Sequence, residues 1–72
     1  MKKTYAYHKP SDAGLETIRK LRERFSILHD AIEATCPPPS RERSIALTEL
    51  ETAAMWAIKS VVCNDSASIV EL

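Results

Sequence analysis

Three groups of residues in this 72-residue chain carry side chains suited to binding chemistry. The first is the N-terminal run Met1-Lys2-Lys3-Thr4-Tyr5-Ala6-Tyr7-His8-Lys9-Pro10, in which flat rings alternate with cations. A ring that stacks and an ammonium group beside it are what a nucleobase carrying a phosphate needs, and Tyr7, His8 and Lys9 sit together in that run. The same composition also suits a solvated terminus with Tyr7 packed on a neighbour. The second group is Arg41, Ser44, Thr48, Thr52 and Lys59, spaced so that one helical stripe carries donors and no carboxylate. The third is the basic cluster Arg19, Lys20, Arg22 and Arg24. Glu16 and Glu23 stand at helical spacing from that cluster, which marks most of it as an ordinary solvated face.

Chemistry that breaks bonds has no such foothold. The serine, cysteine and histidine residues lack a third orienting group at readable spacing, so no nucleophilic constellation forms. The chain has one glycine, which excludes a glycine-rich phosphate loop. His8 and the two cysteines lack any ligand spacing, so no metal site is expected, and no cofactor motif is present. Ten Lys and Arg balance ten Asp and Glu, and zero net charge argues against general binding to duplex nucleic acid. That balance conceals a gradient: residues 1–25 carry seven bases against three acids, and residues 26–72 carry three against seven. A small anion would be drawn to the first third of the chain.

Two helices must position these groups. Ser11 and Asp12 suit a helix start, and Leu15, Ile18, Leu21, Phe25, Leu28 and Ile32 then recur every three or four residues, predicting a helix over about 12–35. Gly14 weakens its first turn slightly. Cys36-Pro37-Pro38-Pro39 ends it, since prolines lack the N–H that a helix interior requires. Ser40 caps a second helix over about 41–63, in which Leu47, Leu50, Ala54, Ala57 and Val61 form the apolar stripe. Arg41 and Arg43 at that helix start oppose its dipole, a conflict that an anion visiting the site would relieve. So short a connection makes the helices antiparallel neighbours. The fold class is therefore all-α: a two-helix hairpin with a short N-terminal segment, one domain over 1–72, and a tail at 64–72 that is either disordered or packed on another copy.

A hairpin of this size is hard to stabilise alone. Ala53-Ala54-Met55-Trp56-Ala57-Ile58 is apolar on every side, whereas one partner helix covers one side only. Cys36 and Cys63 offer no staple, because Cys63 lies roughly 33 Å along the helix from Ser40 and a disulfide needs Cα atoms within about 7 Å. Association with further copies is left as the source of stability. Met1-Lys2-Lys3 runs into polar sequence, so no secretory leader is expected. No apolar run approaches the ~18 residues of a membrane span.

The stretch from Ser40 to Ala57 resembles the helical-hairpin domain shared by phage anti-CBASS and anti-Thoeris proteins, which are cyclic-nucleotide sponges. The resemblance rests on Arg41, Ser44, Thr48, Glu51 and Met55, with Lys59 where that family often has arginine. Tyr7 ahead of the first helix and Arg22 fifteen positions later fit the family's N-terminal layout. Arg22 stands where lysine is usual, and His8 stands where arginine often follows the tyrosine. The resemblance implies a homohexamer, assembled as a trimer of dimers, in the cytoplasm of an infected bacterial host. It implies cyclic dinucleotides held between chains by Tyr7 and Arg22, with His8 and Lys9 nearby. Cyclic trinucleotides would sit on a threefold axis against Arg41, Ser44 and Thr48. The chain is too short for the additional portion of the larger anti-Thoeris members, which favours the anti-CBASS type. The competing reading is a helical-hairpin interaction module, or a small phage regulator, docking a protein through Met55–Ile58 without binding nucleotides.

Overall fold

The computed structural model describes the backbone at residues 2, 5–65 and 69–71, and the side chains at those positions other than 7 and 69–71. The order of elements is β1 (Tyr7–Lys9), α1 (Asp12–Thr35), α2 (Arg41–Asn64) and β2 (Ile69–Glu71). The two helices form the hairpin that the hydrophobic periodicity predicts.

Each helix starts on a serine. Ser11 Oγ accepts the Gly14 N–H at 3.0 Å, and Ser40 Oγ accepts the Arg43 N–H at 3.1 Å. Each bond satisfies one of the donors that a helix start leaves without an intrahelical partner. At the end of α1, the Cys36 N–H donates to the Ile32 carbonyl before the prolines take over. At the end of α2, the Asn64 side-chain amide donates to the Ser60 carbonyl at 2.8 Å.

The all-α class holds, with one short addition. β1 and β2 pair as a two-stranded antiparallel sheet, with Tyr7 opposite Glu71, His8 opposite Val70 and Lys9 opposite Ile69. The tail therefore folds back on the N-terminal segment of its own chain. Strands of three residues are too short to display an alternating pattern, although Ile69 and Val70 are β-branched and suit extended backbone.

The Cα trace measures 45 × 24 × 11 Å, so the helices lie side by side in a single layer. Such a layer has an inside only along the seam. Ile18 is buried there, while Leu21, Phe25 and Ile32 on α1 and Leu47, Leu50, Ala54, Ala57 and Val61 on α2 are half-buried. Leu15 and Leu28 belong to the same periodic stripe yet remain exposed, because α2 is one helix wide. Among the described residues, those fully buried are Ala6, His8, Gly14 and Ile18, all within the first eighteen positions. The covered part of the molecule is thus the end where β1 crosses the hairpin. The opposite extreme is Met55, Trp56 and Ile27, each about two-thirds exposed or more. Among the described residues, no helix is long and apolar enough to cross a membrane.

With so small a covered region, Ile18 carries a large share of what the single chain buries. Ile18→Ala should cost about 2–5 kcal/mol, read as a lower urea midpoint at fixed protein concentration.

Candidate functional site

The α2 residues singled out by the sequence fall on one face. At about 100° per residue, Arg41, Ser44, Ile45, Thr48, Thr52, Met55, Trp56 and Lys59 span an arc of about 120–140°. The opposite face presents Arg43, Leu47, Leu50, Ala54, Ala57 and Val61 to α1, and every one of these is partly covered. The donor stripe and the exposed large apolar residues of α2 therefore share the outward face.

Arg41, Ser44 and Thr48 come together as expected from their spacing. With Ile45 and Glu49 they line an open depression of about 220 Å³ on the first two turns of α2. Glu49 modifies the picture of a stripe free of carboxylates, because it forms part of the rim beside the donors. The Ser44 hydroxyl donates to the Ser40 carbonyl at 3.2 Å, and the Thr52 hydroxyl donates to the Thr48 carbonyl at 3.1 Å. Ser44 can offer its proton to an incoming anion after rotating away from that carbonyl.

The two arginines at the start of α2 have different surroundings. Arg43 turns toward α1, where its Nη2 lies 3.6 Å from Glu33 Oε2, and its side chain is 21% exposed. Glu33 also faces the His29 ring, with its Oε1 3.2 Å from His29 Nε2. Arg41 is exposed and, among the described residues, makes no ion pair. One of the two cations beside the positive helix end is thus neutralised across the hairpin, and the other is left for solvent or a ligand.

The N-terminal candidates lie at the far end of the molecule. Tyr7, His8 and Lys9 constitute β1, next to the start of α1 and the end of α2. His8 is buried and Lys9 exposed; the side chain of Tyr7 lies outside those described. Arg22 sits ten residues into α1, roughly 15 Å along the helix from Asp12. The α2 group begins at the proline turn, roughly 36 Å of helix away from the α2 end that β1 approaches.

Within the basic cluster, Arg19 is accounted for. Its Nε and Nη2 donate to the two oxygens of Glu16 at 3.0 and 2.6 Å, and its Nη1 donates to Glu23. The hydrogen bond from Arg19 holds the Glu16 carboxyl below the ordinary carboxylate range, and the two carboxylates raise Arg19 further. All three side chains are exposed, so this is a solvated ion-pair triad of small energetic weight. Arg22, by contrast, makes no ion pair among the described residues.

A second hollow, of about 240 Å³, opens along the seam between Phe25, Ser26 and His29 on α1 and Leu50, Glu51 and Ala54 on α2. It contains none of the candidate site residues. Among the described residues, no cluster of His, Cys, Asp and Glu could hold a metal ion. The residues missed by sequence reasoning are Asp65 and Gly14, which meet at the base of β1. Their relationship spans 51 positions and leaves no local signal.

The division between the arginines has a measurable consequence. Arg43→Ala should lower stability by about 1 kcal/mol, through the lost pair and the lost packing of its stem. Arg41→Ala should change it by less than about 0.5 kcal/mol, as at an exposed surface position. Chemical denaturation of the two variants side by side checks the difference.

Comparison with known proteins gives one match. The family model described as the Acb2/Tad1 hairpin domain matches residues 1–62, which take in β1, α1, the proline turn and α2 to within two residues of its end. No curated protein and no solved structure matches the chain. A model that covers this much of the sequence, on a chain folded as a helical hairpin, shows the family: the chain belongs to the Acb2/Tad1 hairpin-domain family.

Proposed function

We propose that this protein is a phage sponge that binds and sequesters the cyclic oligonucleotide second messengers of bacterial CBASS defence without cleaving them. The observation that carries this reading is the shared outer face of α2. Arg41, Ser44 and Thr48 line one depression there, and Ile45, Met55 and Trp56 lie exposed beside it. Burying those apolar side chains against other copies brings the donor groups of several chains together around an axis. A ring of phosphates with matching symmetry then meets one arginine from each chain.

The working assembly is a homohexamer, a trimer of dimers, in the cytoplasm of the infected host. Cyclic trinucleotides occupy the axis beside Arg41, Ser44 and Thr48. Cyclic dinucleotides occupy a second site between chains, made by Tyr7, His8 and Lys9 of one chain and Arg22 of another. One feature supports a second, separate site: β1 and the Arg41 depression lie at opposite ends of the hairpin. His8, buried in its own chain, supports the strand, while the exposed Lys9 supplies charge. Membership of a sponge-type binding family favours sequestration over catalysis.

The exposure of Met55 and Trp56 also favours a second reading, a protein-interaction module without nucleotide binding. Light scattering together with calorimetric titration separates the two. The sponge is a hexamer that binds cyclic di-AMP or cyclic tri-AMP and returns it intact on heat denaturation. A monomer indifferent to cyclic dinucleotides and trinucleotides of adenine and guanine is the interaction module.

The two-site arrangement makes a sharper demand. Tyr7→Ala should weaken cyclic dinucleotide binding and spare the trinucleotide. Arg41→Ala should do the reverse, losing about 1.5–3 kcal/mol for each charge-assisted contact. Equal loss of both ligands in both variants would refute separate sites.

A further inference from the structure

The end of α2 is tied to the start of α1 by one carboxylate. Asp65 Oδ2 accepts both the Ser11 N–H, at 3.1 Å, and the Ser11 hydroxyl, at 2.6 Å. The same Ser11 oxygen accepts the Gly14 N–H, so the helix cap and the interhelical tie share one side chain. Gly14 makes this possible by lacking a side chain: a Cβ built there would collide with Asp65 Oδ2 and lie 3.3 Å from Ser11 Oγ. Its backbone is ordinary, with no positive φ, so the glycine serves close approach and not conformation. A residue that costs a little helix propensity stands where the carboxylate enters.

The tie lies directly against the proposed dinucleotide segment. Only Pro10 separates Ser11 from Lys9, and Asp65 also begins the tail that returns to β1 as β2. A three-residue strand has little stability of its own and takes its position from what holds its ends. β1 is held at one end by Ser11–Asp65 and along its length by β2, with His8 buried beneath. Asp65 and β2 both lie beyond the residues matched by the family model.

From this juxtaposition we infer that Asp65, through Ser11 and the returning strand β2, is a positioning residue for the dinucleotide site, and that Gly14 is the clearance that admits it. The inference rests on the assignment of Tyr7, Lys9 and Arg22 to that site. Asp65 touches no ligand. It fixes the entry of β1, so that Tyr7 and Lys9 are presented to a ligand already ordered and the binding energy is not spent on ordering them. The Arg41 depression, at the other end of the hairpin, is independent of it.

The test uses the full-length protein and two readouts. In Asp65→Ala, amide hydrogen exchange at residues 7–9 should rise at least about tenfold while exchange at 18–32 stays within about twofold, the mark of local opening. Affinity for cyclic di-AMP should fall about tenfold, and affinity for cyclic tri-AMP should stay within about twofold. Asp65→Asn, which keeps an oxygen for the Ser11 donors, should restore most of the dinucleotide affinity. Gly14→Ala, whose Cβ forces the carboxylate to shift, should raise exchange at residues 7–9 in the same direction as Asp65→Ala and by less. Unchanged exchange at residues 7–9 overturns the inference, as does an equal loss of both ligands. If the unaltered protein binds neither probe, the sponge reading falls, and the exchange measurement still decides the tie.

Discussion

Two helices lying side by side can cover only one stripe of each other, and most of this molecule follows from that limit. A layer 11 Å thick at the Cα level has a seam but no enclosed interior. Side chains in the seam are shielded on the partner side and open above and below, which is why α2 has no fully buried residue. Apolar residues placed outside the seam, such as Met55, Trp56 and Ile27, are exposed by geometry. Met55 and Trp56 are neighbours on the outer face of α2, and an apolar surface of that kind is where small proteins commonly associate.

Within this limit the chain resolves its local conflicts in different ways. Two arginines at the start of α2 oppose the helix dipole. One pairs with Glu33 across the hairpin near its turn, while its buried Nε is left without a hydrogen-bond partner. The other remains on the outer face, where the same electrostatic tension becomes a capacity to attract an anion. Gly14 is a similar case: seen along α1 it is a weak helix former, and seen across the hairpin it is the gap through which Asp65 reaches Ser11.

The separation of the candidate groups is equally a matter of shape. An elongated hairpin puts β1 at one end and the start of α2 at the other. Binding without catalysis asks only for complementary charge, flat surfaces and exclusion of water, and those can be assembled from the surfaces of several small chains.

Much of this was legible in the residues themselves. Helical periodicity, serine caps and the proline run act over a few positions, so the hairpin and the grouping of Arg41, Ser44 and Thr48 on one face could be read directly. The outward placement of Met55 and Trp56 follows from the same arithmetic. Long-range relations could not be read. Nothing in the local sequence links residue 65 to residue 11, pairs 69–71 with 7–9, or matches Arg43 with Glu33. Those were decided only when the helices came to rest against each other. Hydrogen bonds and ion pairs between distant segments depend on where the backbone has already been carried, whereas caps, turns and stripes depend on neighbours a few residues away.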